Sequence, residues 1–135
     1  MESNFRILDF AEKDLSLPTP LNNNNDEFEI EFKPLIRFSE KNKVINVQIE
    51  VSYIENEHII LNYGVEISFK QIKEDDSIVL TDKDVLKHLI DVSLGFVRGA
   101  MATYTKNTPF KKYILPLVNP ENLLNKSTLI DIDKR

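Results

Sequence analysis

The chain has 135 residues, of which 41% are hydrophobic and 29% charged, as expected for a single folded domain spanning residues 1–135. Its net charge of −5 disfavours non-specific binding to nucleic acid or to an anionic membrane surface. The absence of cysteine excludes disulfides and thiolate metal sites and fits a reducing compartment. The N-terminus lacks a basic segment followed by an apolar run, so we expect a cytoplasmic protein that does not insert into membranes.

The first elements are predicted to be two strands separated by a loop. Residues 4–10 predict a short strand. Two prolines and a run of four asparagines within residues 16–26 predict a loop. Apolar residues at alternate positions from Phe28 to Phe32 predict a half-buried strand that is interrupted by Pro34. The glutamates between them indicate a solvated face or protection of a sheet edge.

Two longer strands show the clearest periodicity in the chain. Every odd-numbered residue from Ile45 to Tyr53, and again from Ile59 to Phe69, is apolar or aromatic. A period of two places these side chains on one face of a sheet. Residues 55–57 suit a tight connection, so the two strands predict an antiparallel hairpin. Its apolar face must be covered by another layer of structure.

Residues 82–104 predict a long helix, which begins where Thr81 and Asp84 resemble a capping box. Placed at intervals of about 100°, its apolar residues fill an arc of roughly 200°, whereas a helix that covers one sheet needs a stripe only a little over 100° wide. These residues are Val85, Leu86, Leu89, Ile90, Val92, Leu94, Phe96, Val97, Ala100 and Met101. The helix therefore carries more apolar surface than one sheet can cover.

Small residues lie beside the second half of this arc. Gly95, Gly99 and Ala102 would let another backbone approach closely, and with Met101 they form the predicted oligomer interface. An open alternative is that this half of the arc packs under the chain's own C-terminal segment. Self-association is the favoured interpretation.

The C-terminal part predicts one short helix and an ambiguous end. Asn119 is a good N-cap, and Pro120 suits the first position of a helix that continues through Leu124. Residues 127–135 end in a brief apolar and acidic alternation. They predict either a flexible tail or a strand that pairs with a partner.

Residues that carry catalytic or metal chemistry are sparse. His58 and His88 are the only histidines, and neither has a second ligand at a recognised spacing. The three glycines do not form a phosphate-binding loop. Arg98 lies between glycines on the apolar helix, where a structural ion pair is favoured over a ligand contact. We therefore expect no metal, no cofactor, and a binding protein rather than an enzyme.

Four stretches of the chain follow the order of a known family. Phe5–Ser16 looks like that family's first strand, and Val44–Ile72 matches its central strands in length and polarity. Gly95–Ala102 lies where its long helix carries an arginine followed by small and apolar residues. Thr108–Phe110 and then Leu115–Asn119 are similar to its connection between two helices. In this order, the elements resemble the SecB family of export chaperones.

The resemblance implies an α+β fold with a four-stranded antiparallel sheet, one long helix and a short C-terminal helix. It also implies a homotetramer, a dimer of dimers with the long helices packed between the dimers. Such proteins hold unfolded polypeptides in apolar grooves without ATP. The client-binding residues that we expect on this basis are Tyr63, Phe69, Phe96 and Tyr104.

The chain departs from the family where SecB proteins contact the translocase motor. Asp14 matches one acidic position of that contact, but Pro18 and Tyr63 fall where the family has others. Residues 128–135 replace an acidic tail. Two hypotheses therefore stay open: a chaperone of unfolded polypeptides, and an adaptor for one dedicated partner, such as an antitoxin-chaperone or an immunity-like protein that is not coupled to export.

Overall fold

The computed structural model describes residues 5–16, 29–55, 57–72, 79–105 and 118–134, and side chains at these positions other than 14–16, 60 and 105. The predicted loop lies outside the described residues, apart from Ser16, which ends the first strand. Pro18 and the side chain of Asp14 also lie outside this description.

Five strands form one mixed sheet in the described part of the chain, in the order β1-β4-β3-β2-β5. They are β1 (Phe5–Ser16), β2 (Glu29–Ser39), β3 (Val44–Glu55), β4 (His58–Gln71) and β5 (Thr128–Asp131). β5 runs parallel to β2, and the other neighbours are antiparallel. The expected sheet had four antiparallel strands; the structure has a fifth strand, β5, and it is parallel to its neighbour. The pattern of residues 127–135 allowed a strand that pairs with a partner, but it did not identify β2 as that neighbour, because the paired residues lie about ninety positions apart in the chain.

The central hairpin of β3 and β4 confirms the predicted periodicity. The odd-numbered residues from Ile45 to Tyr53 and from Leu61 to Phe69 are buried. Ile59 was expected on the same face, but 55% of it is exposed. The pairing register shifts between Tyr53 and Ile54, which brings Ile59 opposite Ile54 and out of the core alternation.

β1 and β2 both extend further than their local patterns predicted. β1 continues past Phe10 to Ser16, which matches the extent that the family resemblance implied, and β2 continues through Pro34 to Ser39. Pro34 does not interrupt the strand, since β2 has a full-length neighbour on one side only, and proline is tolerated at such an edge.

Two helices follow the sheet, α1 (Lys83–Thr105) and α2 (Pro120–Lys126). The capping residue of α1 is Asp82 rather than Thr81, because its Oδ1 accepts hydrogen bonds from the backbone amides of Asp84 and Val85 at 2.9 and 3.4 Å. The predicted cap of α2 is confirmed: Oδ1 of Asn119 accepts from a first-turn amide at 3.0 Å. No helix in the described residues is long and apolar enough to cross a bilayer.

One face of α1 packs on β3 and β4 and completes the hydrophobic core. Its buried apolar residues are Leu86, Leu89, Ile90, Leu94, Val97 and Met101. Leu123 of α2 closes the core beside them. Met101 was expected at an oligomer interface, but it faces this core, so it is withdrawn from that interface.

Replacing Leu89 with alanine should destabilise the subunit by about 2–5 kcal/mol, since this side chain is 1% exposed and its loss leaves a cavity between helix and sheet. Urea unfolding followed by circular dichroism measures the change. His88→Ala is the matched control on the exposed side of the same turn. A loss below about 1 kcal/mol for Leu89→Ala would contradict this packing.

Candidate functional site

A groove of about 640 Å³ runs between strand β1 and the side of α1 that the sheet does not cover. Its floor and walls are mostly apolar. The lining residues are Phe10 and Glu12 of β1 and Val92, Gly95, Phe96, Gly99, Ala100, Thr103 and Tyr104 of α1. This groove occupies the half of the helix's apolar arc that the sheet does not cover.

The α1 side of the groove has one large exposed side chain and two glycines, which have no side chain. Phe96 is 40% exposed, and Val92 and Ala100 are half-buried against the core. A Cβ added at Gly95 or at Gly99 would meet no heavy atom of the described residues within 4 Å. The two glycines therefore leave open space beside an exposed aromatic ring.

The opposite wall of the groove is formed by the core-facing side of β1 where it extends beyond the helix. Phe10 pairs with Ile67, and Glu12 pairs with Val65, and both partners are buried residues of β4. The ring of Phe10 meets that of Phe96 at a centroid distance of 5.2 Å and an angle of 44°. This tilted contact joins β1 to α1 at the middle of the groove.

A carboxylate held by two tyrosines closes one end of the groove. The hydroxyl of Tyr63 donates to Oε2 of Glu12 and that of Tyr104 donates to Oε1, each at 2.8 Å. The two tyrosine rings lie 5.9 Å apart. Burial, and next its hydrogen bond with Glu12, raises the pKa of Tyr63 above its usual value. The phenol therefore stays neutral and donates to Glu12 throughout the physiological range.

Strand β1 is held in place from the other face of the sheet. Lys13 Nζ lies 2.6 Å from a carboxylate oxygen of Glu66 on β4, and this ion pair lowers the pKa of the Glu66 carboxyl. A Cβ at Gly64 would come within 3.2 Å of the carbonyl oxygen of Lys13, so glycine permits the close approach of β1 at this point. The groove wall therefore depends on contacts on both faces of β4.

The structure separates the four expected client-binding residues into two pairs. Phe96 and Tyr104 line the groove and are exposed. Tyr63 and Phe69 are buried in the core and are withdrawn as client contacts. They follow the same alternation as the other core residues of β4, so their aromatic character was not evidence that they are exposed.

Sequence reasoning missed the β1 side of the groove. The alternating pattern predicted a first strand that ends at Phe10, and no role was assigned to Phe10 or Glu12. The alternation does continue from Phe10 to Glu12, but it identifies a wall only when β1 is known to pair beside β4.

The other polar residues of interest do not form a reactive site. His58 and His88 are exposed, and the described residues include no group of three histidine or acidic side chains placed to hold a metal ion. Arg98 forms none of the ion pairs found in the described part of the chain, and its Nε is buried without a hydrogen-bond partner. The structural ion pair expected for Arg98 is therefore not found among those residues.

The fold and the groove define an α+β protein with an exposed apolar groove. No family model matches the chain, and no curated protein matches it in sequence. Its structure is similar to that of a SecB-like chaperone from Mycobacterium tuberculosis in complex with a ChAD peptide from the HigA1 antitoxin. The TM-score is 0.60 at 10% identity, and the match covers 85% of this chain and 90% of that one. This likeness shows a SecB-like fold.

A second solved structure, a protein of unknown function from Streptococcus agalactiae, is 16% identical over 77% of this chain and 85% of that one. Its TM-score is 0.28, so it does not bear on the fold.

Alkaline pH should destabilise the fold through its buried tyrosines. Burial raises the pKa of Tyr53 to about 12 from 10.0, and the pKa of Tyr63 is also raised. The unfolded chain loses these protons near pH 10 while the folded chain keeps them, so the free energy of unfolding falls as pH rises from about 10 towards the folded pKa values. Urea unfolding between about pH 8 and 11 should show this decline. Tyr63→Phe should make it shallower, and an unchanged slope would contradict the assignment.

Proposed function

We propose that the chain is an ATP-independent chaperone that holds exposed apolar segments of unfolded polypeptides in the groove between β1 and α1. The observation that carries this proposal is the second apolar face of α1, which leaves Phe96 40% exposed over an open groove while the first face is sealed in the core. We also propose that the chain acts in the cytoplasm as a binding protein, without enzymatic activity or a cofactor.

The chemistry of the groove fits a range of clients. Burial of an aromatic or aliphatic side chain contributes about 1.5–3 kcal/mol and is not directional. Phe10 and Phe96 offer such surface, and Glu12 is the one formally charged side chain of the lining. A groove of this kind binds apolar segments with little dependence on their amino-acid sequence. Phe96 and Tyr104 are the client contacts that we propose.

The same helix is proposed to mediate self-assembly. Gly95, Gly99 and Ala102 lie on the uncovered side of α1, and the glycines leave room for another backbone. We propose a homotetramer, a dimer of dimers in which the long helices meet along these residues.

A dedicated adaptor is the second candidate. The similar chaperone of Mycobacterium tuberculosis was solved with a peptide from an antitoxin, which favours one specific partner over many clients. The fixed Glu12 carboxylate, held by Tyr63 and Tyr104, gives the groove a polar feature that one partner would match. In this case the chain would bind its partner without a link to protein export.

Suppression of aggregation tests the first candidate. The protein should prevent aggregation of chemically denatured citrate synthase without nucleotide, measured by light scattering at several ratios of chain to client. Phe96→Glu should raise the amount of chain needed for half-protection by about tenfold, because a carboxylate in the groove opposes apolar burial.

Val79→Glu is the matched control, since Val79 is 54% exposed but does not line the groove. Equal protection by the two variants would contradict the groove as the client site. Absence of protection by the unmodified protein at several-fold excess would reject the general chaperone and favour the adaptor.

The mass in solution tests the proposed assembly. Multi-angle light scattering should give four times the chain mass of 15.7 kDa. Gly99→Leu should reduce this mass to that of a dimer, because the added side chain fills the space that a neighbouring helix would need. His88→Leu adds the same side chain on the polar side of α1 and should leave the mass unchanged. A monomer in all three proteins would remove the assembly from the account.

A further inference from the structure

The opposite edge of the sheet is covered by the end of the chain. β5 pairs in parallel with only four residues of β2, Leu35–Phe38. β2 is 11 residues long and pairs with β3 along its whole length. In the described structure, the stretch Glu29–Pro34 therefore has a strand neighbour on one side only.

The covering segment Thr128–Lys134, which we call the tail, is weakly attached. None of its side chains is buried, and Leu129 is 46% exposed. Its strand is short, and parallel pairs are slightly less stable per residue than antiparallel ones. The tail therefore contributes little to the core.

One aspartate clamps the tail at its far end. Asp133 Oδ1 accepts a hydrogen bond from the buried Ser39 hydroxyl at 2.7 Å, and Oδ2 accepts from the amide of Lys41 at 3.0 Å. These two bonds lower the pKa of Asp133, so the clamp is charged at neutral pH. The tail is thus fixed at the turn between β2 and β3 by a single side chain.

The residue before the tail has separate attachments. The backbone amide of Ser127 donates to the carbonyl of Leu124, and its hydroxyl donates to that of Leu123. Helix α2 is held in turn by buried Leu123 and by an ion pair of 2.7 Å between Glu121 and Lys83. The tail is therefore able to leave the edge while α2 stays in place.

We propose that the tail is a removable cover of the β2 edge, and that an extended peptide of another protein, with apolar residues alternating with basic ones, replaces it. A longer strand would pair with β2 along the stretch that the tail leaves open as well as along Leu35–Phe38, except at Pro34, which has no backbone donor. This surface lies at the opposite edge of the sheet from the groove, and the proposal does not depend on the proposed function.

The side chains of the open stretch define the chemistry of this peptide. Ile30 and Phe32 are half-buried on the core side, where apolar residues of an added strand would cover them. Glu29 and Glu31 are exposed on the other side, and Lys33 offsets their charge only in part. Basic residues at the alternate positions of the peptide would therefore face carboxylates.

A second copy of the chain is the less suitable occupant. Its tail has the same four-residue strand, which would again pair with Leu35–Phe38 only. Exchange of tails would therefore leave the open stretch uncovered.

Fluorescence anisotropy with a labelled ten-residue peptide of alternating valine and lysine tests the proposal. Its affinity should rise by about fivefold in Asp133→Ala, since loss of the clamp raises the fraction of chains whose edge is free. A chain that ends at Ser127 should bind at least as tightly as Asp133→Ala. Lys134→Ala is the matched control, because Lys134 lies in the same turn with its side chain 83% exposed, and its ion-pair partner Asp131 belongs to the tail itself. This variant should bind like the unmodified protein.

Four outcomes would overturn the proposal. The first is equal affinity in the unmodified protein, Asp133→Ala and the shortened chain. The second is equal binding of a peptide with proline in place of alternate valines, which lacks backbone donors for pairing. The third is a shortened chain that doubles in mass instead of binding peptide. If Phe96→Glu, combined with Asp133→Ala, removes the gain in affinity, the peptide lies in the groove and the edge is not its site.

Discussion

The structure depends on one constraint: helix α1 has apolar side chains around more than half of its circumference, and the sheet covers only one side of them. Leu89, Leu94 and Val97 pack on the hairpin of β3 and β4 and provide the stability of the subunit. Phe96 and the space beside Gly99 lie on the remaining side, where β1 adds the ring of Phe10. An exposed apolar surface carries a solvation cost that a second polypeptide relieves. One helix thereby contributes both to a stable core and to an exposed apolar surface.

The two edges of the sheet differ in what they contact. β1 is the wall of the groove, and it is fixed by Glu12 on the core side and by Lys13 on the other side. The far edge is covered by the chain's own tail through the Asp133 clamp. The groove offers apolar area with few polar groups, whereas the far edge offers backbone donors and acceptors. The two surfaces would therefore recognise different features of a polypeptide.

Much of the fold was predictable from the sequence because local periodicity determines it. The alternation from Ile45 to Phe69 and the helical pattern after Asp82 each appear within one element. The parallel strand β5, the continuation of β2 through Pro34 and the turning of Ile59 out of the core depend on pairing between distant residues. The width of the apolar arc on α1 predicted a surface that the sheet does not cover, and among the described residues the groove lies on that part of the helix. It did not predict which aromatic residues are exposed, because Tyr63 and Phe69 follow the same alternation as the core.

The most direct test of the central claim uses the fact that the chain has no cysteine. A single cysteine introduced as Thr103→Cys would line the groove outside the proposed assembly interface, and His88→Cys would lie on the polar side of the same helix. The rate of thiol labelling should fall several-fold at position 103 when denatured citrate synthase is added, while position 88 should show little change. A thiol at position 103 that is unreactive in client-free protein would show that the groove is closed to clients. That result would contradict the account.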